Sequence, residues 1–365
     1  MTVAVLLESD GPGGAEVVVF QLAEELARRG HKVFPVGPAQ GVGWLGGKFR
    51  EAGFETLVFQ KRHPLDPRWI SDLARLFRRN GITVVHSHEF GMSVYGAAAA
   101  RRLRLPHVIT MHGNQTMTRA LRRRMALRWA FRKSRATVAV SRATKQQLDQ
   151  DLGLPPDRIQ VVHNGIPIRP GNPERIRREL GVTPEERLIV AVGNLDRRKG
   201  HAVLLRALRR MEAEGQRQPW RLVIAGGRGG DQRPVLESLA AEAGHTGRLH
   251  LLAQREDVPD LLAAADIFAM PSLWEGLPLA LLEAMLAGKA IVASATSGIP
   301  EAIETEVHGL LVPPGDEAAL ARALGRLFAE PDLRRRLGAA ASGRGRAQFT
   351  IGVMVDAYER LYRGV

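Results

Sequence analysis

The 365-residue chain is 45% hydrophobic and 25% charged, an ordinary globular composition with length for two domains. It has no cysteine, which excludes disulfides, thiolate metal sites, iron–sulfur clusters and a thiol nucleophile. The net charge is +14, and it is unevenly placed: residues 1–165 carry 25 basic and 13 acidic side chains, residues 166–365 carry 27 and 25. A basic half beside a near-neutral half implies that one half faces something anionic, such as a membrane, a nucleic acid or a phosphorylated substrate.

The opening MTVAVLLESDGPGG lacks a basic leader and turns polar after Leu7, so it reads as a buried strand. No run approaches the roughly 18 apolar residues of a membrane span. A cytoplasmic protein is expected. Short apolar runs then alternate with helical patterns. In the first half the strand candidates are Val3–Leu7, Lys32–Val36, Glu55–Val58, Thr83–His86, His107–Met111, Ala136–Val140 and Ile159–Val162. Ala15–Arg29 and Pro67–Asn80 carry the i, i+3, i+4 spacing of helices between them. The second half repeats the pattern with strands at Leu188–Val192, Arg221–Ala225, Leu249–Leu252, Ile267–Met270, Ala290–Ala293 and Leu310–Val312. Its helices include His201–Glu214, Val258–Ala265 and Leu279–Ala287. Such alternation predicts an α/β protein of two doubly wound, Rossmann-like domains. The Pro/Gly/Asn-rich stretch Asn164–Pro173 reads as the linker, and a last helix is expected near Ile351–Tyr362. The expected domains are 1–166, 167–345 and a terminal helical segment 346–365.

The most informative segment is PSLWEGLPLALLEAMLAG, residues 271–288. A strand ends at Met270, a Gly/Pro loop follows, and a helix opens near Leu279. Ligands of doubly wound sheets bind outside the carboxyl ends of the strands, where this loop lies. The first helical amides favour an anion such as a diphosphate. Glu275 in the loop and Glu283 one turn into the helix can each accept paired hydroxyls of a sugar or ribose. The less favoured local reading makes Glu275 a helix-dipole partner and Glu283 a solvated helix residue.

The Glu-x7-Glu spacing within this segment resembles the retaining family 4 ("group 1") glycosyltransferases of the GT-B fold. Further segments match in the same order. They are Gly13-Gly14-Ala15-Glu16 after the first strand, Val85-His86-Ser87-His88, Thr110-Met111-His112-Gly113, Val140-Ser141 and Val162–Ile166. In the second half they are Gly193–Gly200 with Lys199, Ser297–Glu301 and Gly309–Asp316. The resemblance covers essentially the whole chain. It implies two domains facing a cleft, with the terminal helix crossing back to the first. It also implies transfer from a nucleoside-diphosphate sugar, expected to be a UDP-sugar, with no metal and no cofactor. Lys199 would meet the leaving diphosphate, Glu275 the donor sugar and Glu283 the ribose. The backbone of Leu277, Pro278 and Leu279 would approach the sugar and phosphate, with the amides of Leu277 and Leu279 as donors, and Gln254 would lie by the base. Gly13 and Gly14 would let the first loop approach phosphate; otherwise they are a tight turn. His112 would stand near the donor sugar and acceptor. His88 has a weaker case, since His86 and His88 are read as facing opposite sides of the strand with one of them in the core. The family usually places an arginine five residues before the lysine. Here that residue is Asn194, leaving Arg197 or Arg198 to supply the charge.

Other matches are weaker. Gly41–Gly46 fits GxGxxG literally but follows the second strand, so it reads as a loop. Asp149-Gln-Asp151 ends a polar helix and reads as a solvated face. The segment Arg119–Arg135 holds eight basic and no acidic residues, including Arg119, Arg122, Arg123, Arg124 and Arg128, interleaved with Leu121, Met125, Leu127, Trp129 and Phe131. A basic amphipathic helix of this kind suits an anionic membrane surface, or packs its apolar side on the sheet, or does both. The expected reading is a glycosyltransferase acting on an envelope glycolipid, such as lipopolysaccharide core or a lipid-linked glycan, at the inner face of the cytoplasmic membrane. The alternatives are a soluble acceptor with the same chemistry and, from another class, a basic nucleic-acid-binding protein. The last has no aromatic-rich basic sheet, so no nucleic-acid partner is expected.

Overall fold

Among the described residues every strand pair is parallel, so each sheet needs a helical cover on both faces. The computed structural model describes residues 1–9, 11–38, 43–60, 66–113, 120–155, 157–227 and 232–364. The chain divides into two units, Met1–Pro167 with Thr350–Val365, and Ile168–Phe349.

The first unit runs β1 (Thr2–Leu6), α1 (Gly14–Arg28), β2 (Lys32–Pro38), α2 (Trp44–Glu51), β3 (Leu57–Phe59), α3 (Arg68–Arg79), β4 (Val84–His88), α4 (Phe90–Leu103), β5 (His107–Met111), α5 (Leu121–Lys133), β6 (Ala136–Ala139), α6 (Arg142–Leu152) and β7 (Ile159–Val161). Its seven strands are ordered β3-β2-β1-β4-β5-β6-β7. β4, β5 and β6 are buried at every position, as strands covered on both faces must be. One core cluster joins Phe34, Trp69, Leu73 and Phe77 to β1 and β4; another joins Ile109, Leu127, Phe131 and Leu148.

The second unit runs α7 (Pro173–Glu179), β8 (Arg187–Val192), α8 (His201–Ala213), β9 (Trp220–Ala225), α9 (Gln232–Glu242), β10 (Leu249–Leu252), α10 (Val258–Ala264), β11 (Ile267–Met270), α11 (Leu279–Leu286), β12 (Ala290–Ser294), α12 (Ile299–Ala302), β13 (Leu310–Val312), α13 (Glu317–Ala329) and α14 (Pro331–Gln348). Its six strands are ordered β10-β9-β8-β11-β12-β13. Trp220, Phe328 and the leucines of α8 and α13 fill one side of that sheet. Asn172 and Asp316 cap α7 and α13 by accepting the third amide of each helix.

Three expectations shift. Trp44–Gly46, read as a loop, opens α2, because Leu45 and Phe49 bury at i, i+4 spacing; Gly41 lies outside the described residues. β3 starts at Leu57 rather than Glu55, since only Leu57 and Phe59 reach the core. The second unit continues to Phe349 rather than 345, because α14 keeps packing there, with Gly345 against Leu286.

The terminal helix α15 (Ile351–Arg363) belongs to the first unit. The Ile351 amide donates to the Ile166 carbonyl (2.9 Å), and Arg29, just past the end of α1, pairs with Asp356 and Glu359. Tyr358 and Tyr362 are fully buried, and the Tyr358 hydroxyl meets Thr110 of β5 (2.9 Å). Tyr358→Ala should therefore cost about 3–5 kcal/mol, as a large aromatic ring is lost from a packed core. Val353→Ala, on the exposed face of the same helix, should stay within about 0.5 kcal/mol. Urea denaturation of both variants checks this.

Candidate functional site

In the second unit the strand order reverses between β8 and β11, and the loops after those two strands are neighbours. Two backbone contacts join them. The Leu273 amide donates to the Arg198 carbonyl (2.7 Å), and Gly200 abuts the Pro271 carbonyl so closely that no Cβ would fit. Gly200 also has φ 68°, a conformation that glycine adopts without strain. The join brings Lys199 and Glu275 together: Nζ to Oε1 is 2.6 Å, with both side chains largely buried. The Ser272 hydroxyl donates to the same carboxylate oxygen (2.8 Å), and the Glu275 amide donates to Ser297 Oγ (3.2 Å). The Lys199 stem lies over Gly193.

α11 begins at Leu279 with Pro278 at its cap and no side chain capping its first turn. Leu277 and Pro278 are buried, Leu279 half-buried. Glu283 sits on the same helix, and burial pushes its carboxyl up to about 7 against the opposing pull of the Arg169 charge. Asn194 is half-buried. Arg197 and Arg198 are exposed; the Arg198 guanidinium lies over the Trp274 ring (5.6 Å) and 3.6 Å from Asp196. Gln254 is exposed, and its backbone packs on Gly227, with no room for a side chain at 227.

The first unit reverses its strand order between β1 and β4. Gly13 caps α1, but the place its Cβ would take is held by the Glu16 carboxylate. A phosphate there would face an anion, so the opening expected at Gly13 is filled; Gly14 is unobstructed. The Glu8 carboxylate lies likewise against Gly91 at the start of α4. Glu89, at φ 63°, accepts from the Ser9 hydroxyl (3.0 Å), and burial with the Glu16 and Glu8 charges raises its carboxyl. This end of the sheet is acidic in an otherwise basic half.

His86 and His88 do not face opposite sides. Residues two apart on a strand share a face, and these two rings are 4.2 Å apart, both fully buried. His88 Nδ1 meets His112 Nε2 at 3.0 Å. Low polarity around the rings holds His112 down to about 4 and His88 well below the usual imidazole range.

Helix α5 is apolar on two sides. Leu127, Ala130 and Phe131 are buried, while Leu121, Met125 and Trp129 form an i, i+4, i+8 stripe exposed at 69%, 63% and 38%. Arg122 is exposed, Arg123 is exposed over the Phe90 ring (5.5 Å), and Arg124 and Arg128 are half-buried. Arg119 lies outside the described residues. Asp149, in the Asp149-Gln-Asp151 segment, pairs with Lys145 (2.6 Å). Among the described residues no three His, Asp or Glu side chains form a metal-binding cluster, and no helix is long and apolar enough to cross a membrane.

Sequence reasoning missed Ser272, Arg169 and the Gly226-Gly227 pair. Gly226 abuts the Gly193 carbonyl, and the signal for it was a double glycine at a strand's carboxyl end. Ser272 and Arg169 carry no local signal.

The family model for glycosyl transferases group 1 matches residues 172–344, and that for glycosyltransferase family 4 matches residues 12–169. The chain is 31% identical over 324 residues to an alpha-maltose-1-phosphate synthase of Mycolicibacterium smegmatis, covering 81% of this chain and 82% of that protein. It is 38% identical over 194 residues to a D-inositol 3-phosphate glycosyltransferase of Corynebacterium jeikeium, covering 52% and 46%. In fold it is similar to the crystal structure of Anabaena HepE in complex with UDP, with TM-score 0.86 and 21% identity over the full length of both chains. The parallel sheets, the paired loops at the second switch point and these matches together place the chain in the family 4 (group 1) glycosyltransferases, enzymes of the GT-B fold.

Proposed function

We propose that the chain moves a sugar from a nucleoside-diphosphate sugar, a UDP-sugar in the first instance, to a hydroxyl of an envelope glycolipid. The anomeric configuration is retained and no metal takes part. The observation that carries the donor half is the Lys199–Glu275 pair at the β8–β11 switch point. The two charges neutralise each other until a donor arrives. Glu275 then accepts hydroxyls of the sugar. Lys199 meets the β-phosphate, on which negative charge grows as its bond to the anomeric carbon breaks. The amides of Leu277 and Leu279 face the phosphate, Glu283 takes the ribose hydroxyls, and Gln254 lies by the base. Asn194 supplies a neutral hydrogen bond where the family has an arginine, and Arg197 and Arg198 contribute charge from the loop's surface. UDP in the HepE complex supports this choice of nucleotide.

His112, backed by His88, belongs to the acceptor side. The carboxylates Glu8, Glu16 and Glu89 suit a hydroxyl-bearing acceptor better than a phosphate. The exposed Leu121–Met125–Trp129 stripe among arginines suits anionic lipid: the apolar side chains enter the headgroup boundary while the guanidinium groups meet phosphates. Two relatives are named for phosphorylated small molecules, which favours a soluble phosphorylated acceptor as the second reading.

Three sets of outcomes are expected, the first on donor binding and turnover. In a thermal-shift panel of UDP, GDP and ADP, one nucleotide at 100 times its Kd should add about 2.7 kcal/mol of stability. No stabilisation by any of them would defeat the donor reading. With UDP-glucose as donor, Lys199→Met should lower kcat by about 10²–10³-fold, the effect of losing one preorganised charge partner of the transition state.

The second outcome concerns pH. Ribose hydroxyls donate to an ionised carboxylate, so Glu283 must lose its proton to bind. Its carboxyl stands at about 7, so UDP affinity should fall as pH drops below that value, by about tenfold per unit. Calorimetry with the wild type and Glu283→Gln checks it. The difference between the two profiles removes the nucleotide's own titration, and identical profiles would take Glu283 out of the site.

The third is flotation with vesicles. The chain should enrich on phosphatidylglycerol vesicles and not on neutral phosphatidylcholine. Replacing Arg122 and Arg123 by Ala should weaken binding on the order of 30-fold, about 1 kcal/mol per basic residue. Equal behaviour on both vesicles would favour the soluble acceptor.

A further inference from the structure

Beneath His112 lies a column of buried imidazoles. His86 is held at both nitrogens, Nδ1 by the Tyr362 hydroxyl (2.7 Å) and Nε2 by Thr110 Oγ1 (2.8 Å). Thr110 is itself bonded to the Tyr358 hydroxyl (2.9 Å), so helix α15 and strand β5 lock this ring from two directions. The His88 ring packs on His86 at 4.2 Å and on His112 at 5.2 Å, the latter pair nearly coplanar at 23°. His88 makes one ring hydrogen bond, Nδ1 to His112 Nε2 at 3.0 Å, and its Nε2 is buried with no partner.

That contact needs one N–H and one lone pair. Burial keeps both rings neutral at pH 7, so each carries a single proton. If His112 donated, His88 would carry its own proton on Nε2, a buried N–H with no acceptor. Such orphaned donors are rare, because they forfeit a hydrogen bond to water for nothing. If His88 donates from Nδ1, the unpartnered Nε2 holds only a lone pair. His112 then accepts at Nε2 and carries its proton on Nδ1.

We propose that His88 is a positioning residue that holds His112 in the tautomer protonated on Nδ1, so that His112 serves its ligand as a hydrogen-bond donor and not as a base. The chemistry it would recognise is an oxygen lone pair, on a hydroxyl or a departing oxygen. The role at the ligand rests on the placement of His112 on the acceptor side, whereas the tautomer does not.

The test uses full-length protein labelled with ¹⁵N-histidine and long-range ¹H–¹⁵N correlation spectra, with His112 assigned from the signals lost in His112→Asn. A proton on Nδ1 and a pyridine-type Nε2 are expected; a proton on His112 Nε2 overturns the proposal, whatever reaction the chain performs. A second arm uses His88→Asn, whose amide N–H stands near the place of Nδ1–H, and His88→Phe, which keeps shape without a donor. Both are first checked for an unchanged thermal midpoint. With UDP-glucose as donor, His88→Phe should lower kcat on the order of 10²-fold, with the donor KM unchanged and Asn restoring most of the loss. In His88→Phe the His112 spectrum should also show mixed tautomers. An unaltered His112 spectrum and kcat in a folded His88→Phe would overturn the proposal.

Discussion

At Gly200 the chain turns with φ 68° against the carbonyl of Pro271, at a separation that excludes any side chain. The approach lets the loop after β8 lie directly on the loop after β11, and the Leu273–Arg198 backbone hydrogen bond holds the two in register. An ammonium and a carboxylate 76 positions apart in the chain thereby come to 2.6 Å. Parallel sheets supply the setting, because reversal of strand order leaves a gap between outgoing loops at one place only in each sheet. Both side chains are largely buried, at 15% and 7% exposure, so each charge is held mainly by the other. In the proposed reaction such a pair would supply preorganised charge where negative charge develops.

The first unit handles charge differently. Glu8, Glu16 and Glu89 gather at the carboxyl end of its strands, and the arginines of α5 include Arg123, which lies over the ring of Phe90, the neighbour of Glu89. His86 and His88 of β4 are buried, His112 after β5 meets His88, and tyrosines from the last helix brace His86. Helix α15 is more than a terminal cover. Its two rings complete the core under the histidines and fix the orientation of His86.

Much of this was legible in the sequence. The 2.0 and 3.6 periodicities and the glycine turns pointed to two parallel α/β units and to the approximate place of the thirteen strands found among the described residues. The Glu275–Glu283 loop and the Lys199 segment were each read at the carboxyl end of a strand, and the strand order shows that those strands, β8 and β11, flank the second unit's switch point. Local pattern could do this because strand ends and helix starts are set by short-range forces, and because ligand loops follow from strand order.

What pattern could not reach is the direction of each side chain and the partner it finds. The filling of the Gly13 cradle by Glu16 and the bracing of Glu275 by Ser272 and Ser297 are of this kind. The shared face of His86 and His88, by contrast, follows from period two along a strand and was misread. The split of the apolar residues of α5 was equally hidden. Periodicity shows that a helix has apolar positions but not which of them find a neighbour. Leu127 and Phe131 were buried by α4 and α6, while Leu121, Met125 and Trp129 were left to solvent. The sequence by itself determined the architecture and the loops that carry chemistry. Only tertiary packing decided which charges are paired, which rings are dry and which apolar face is free, because burial and charge pairing are properties of three-dimensional neighbours.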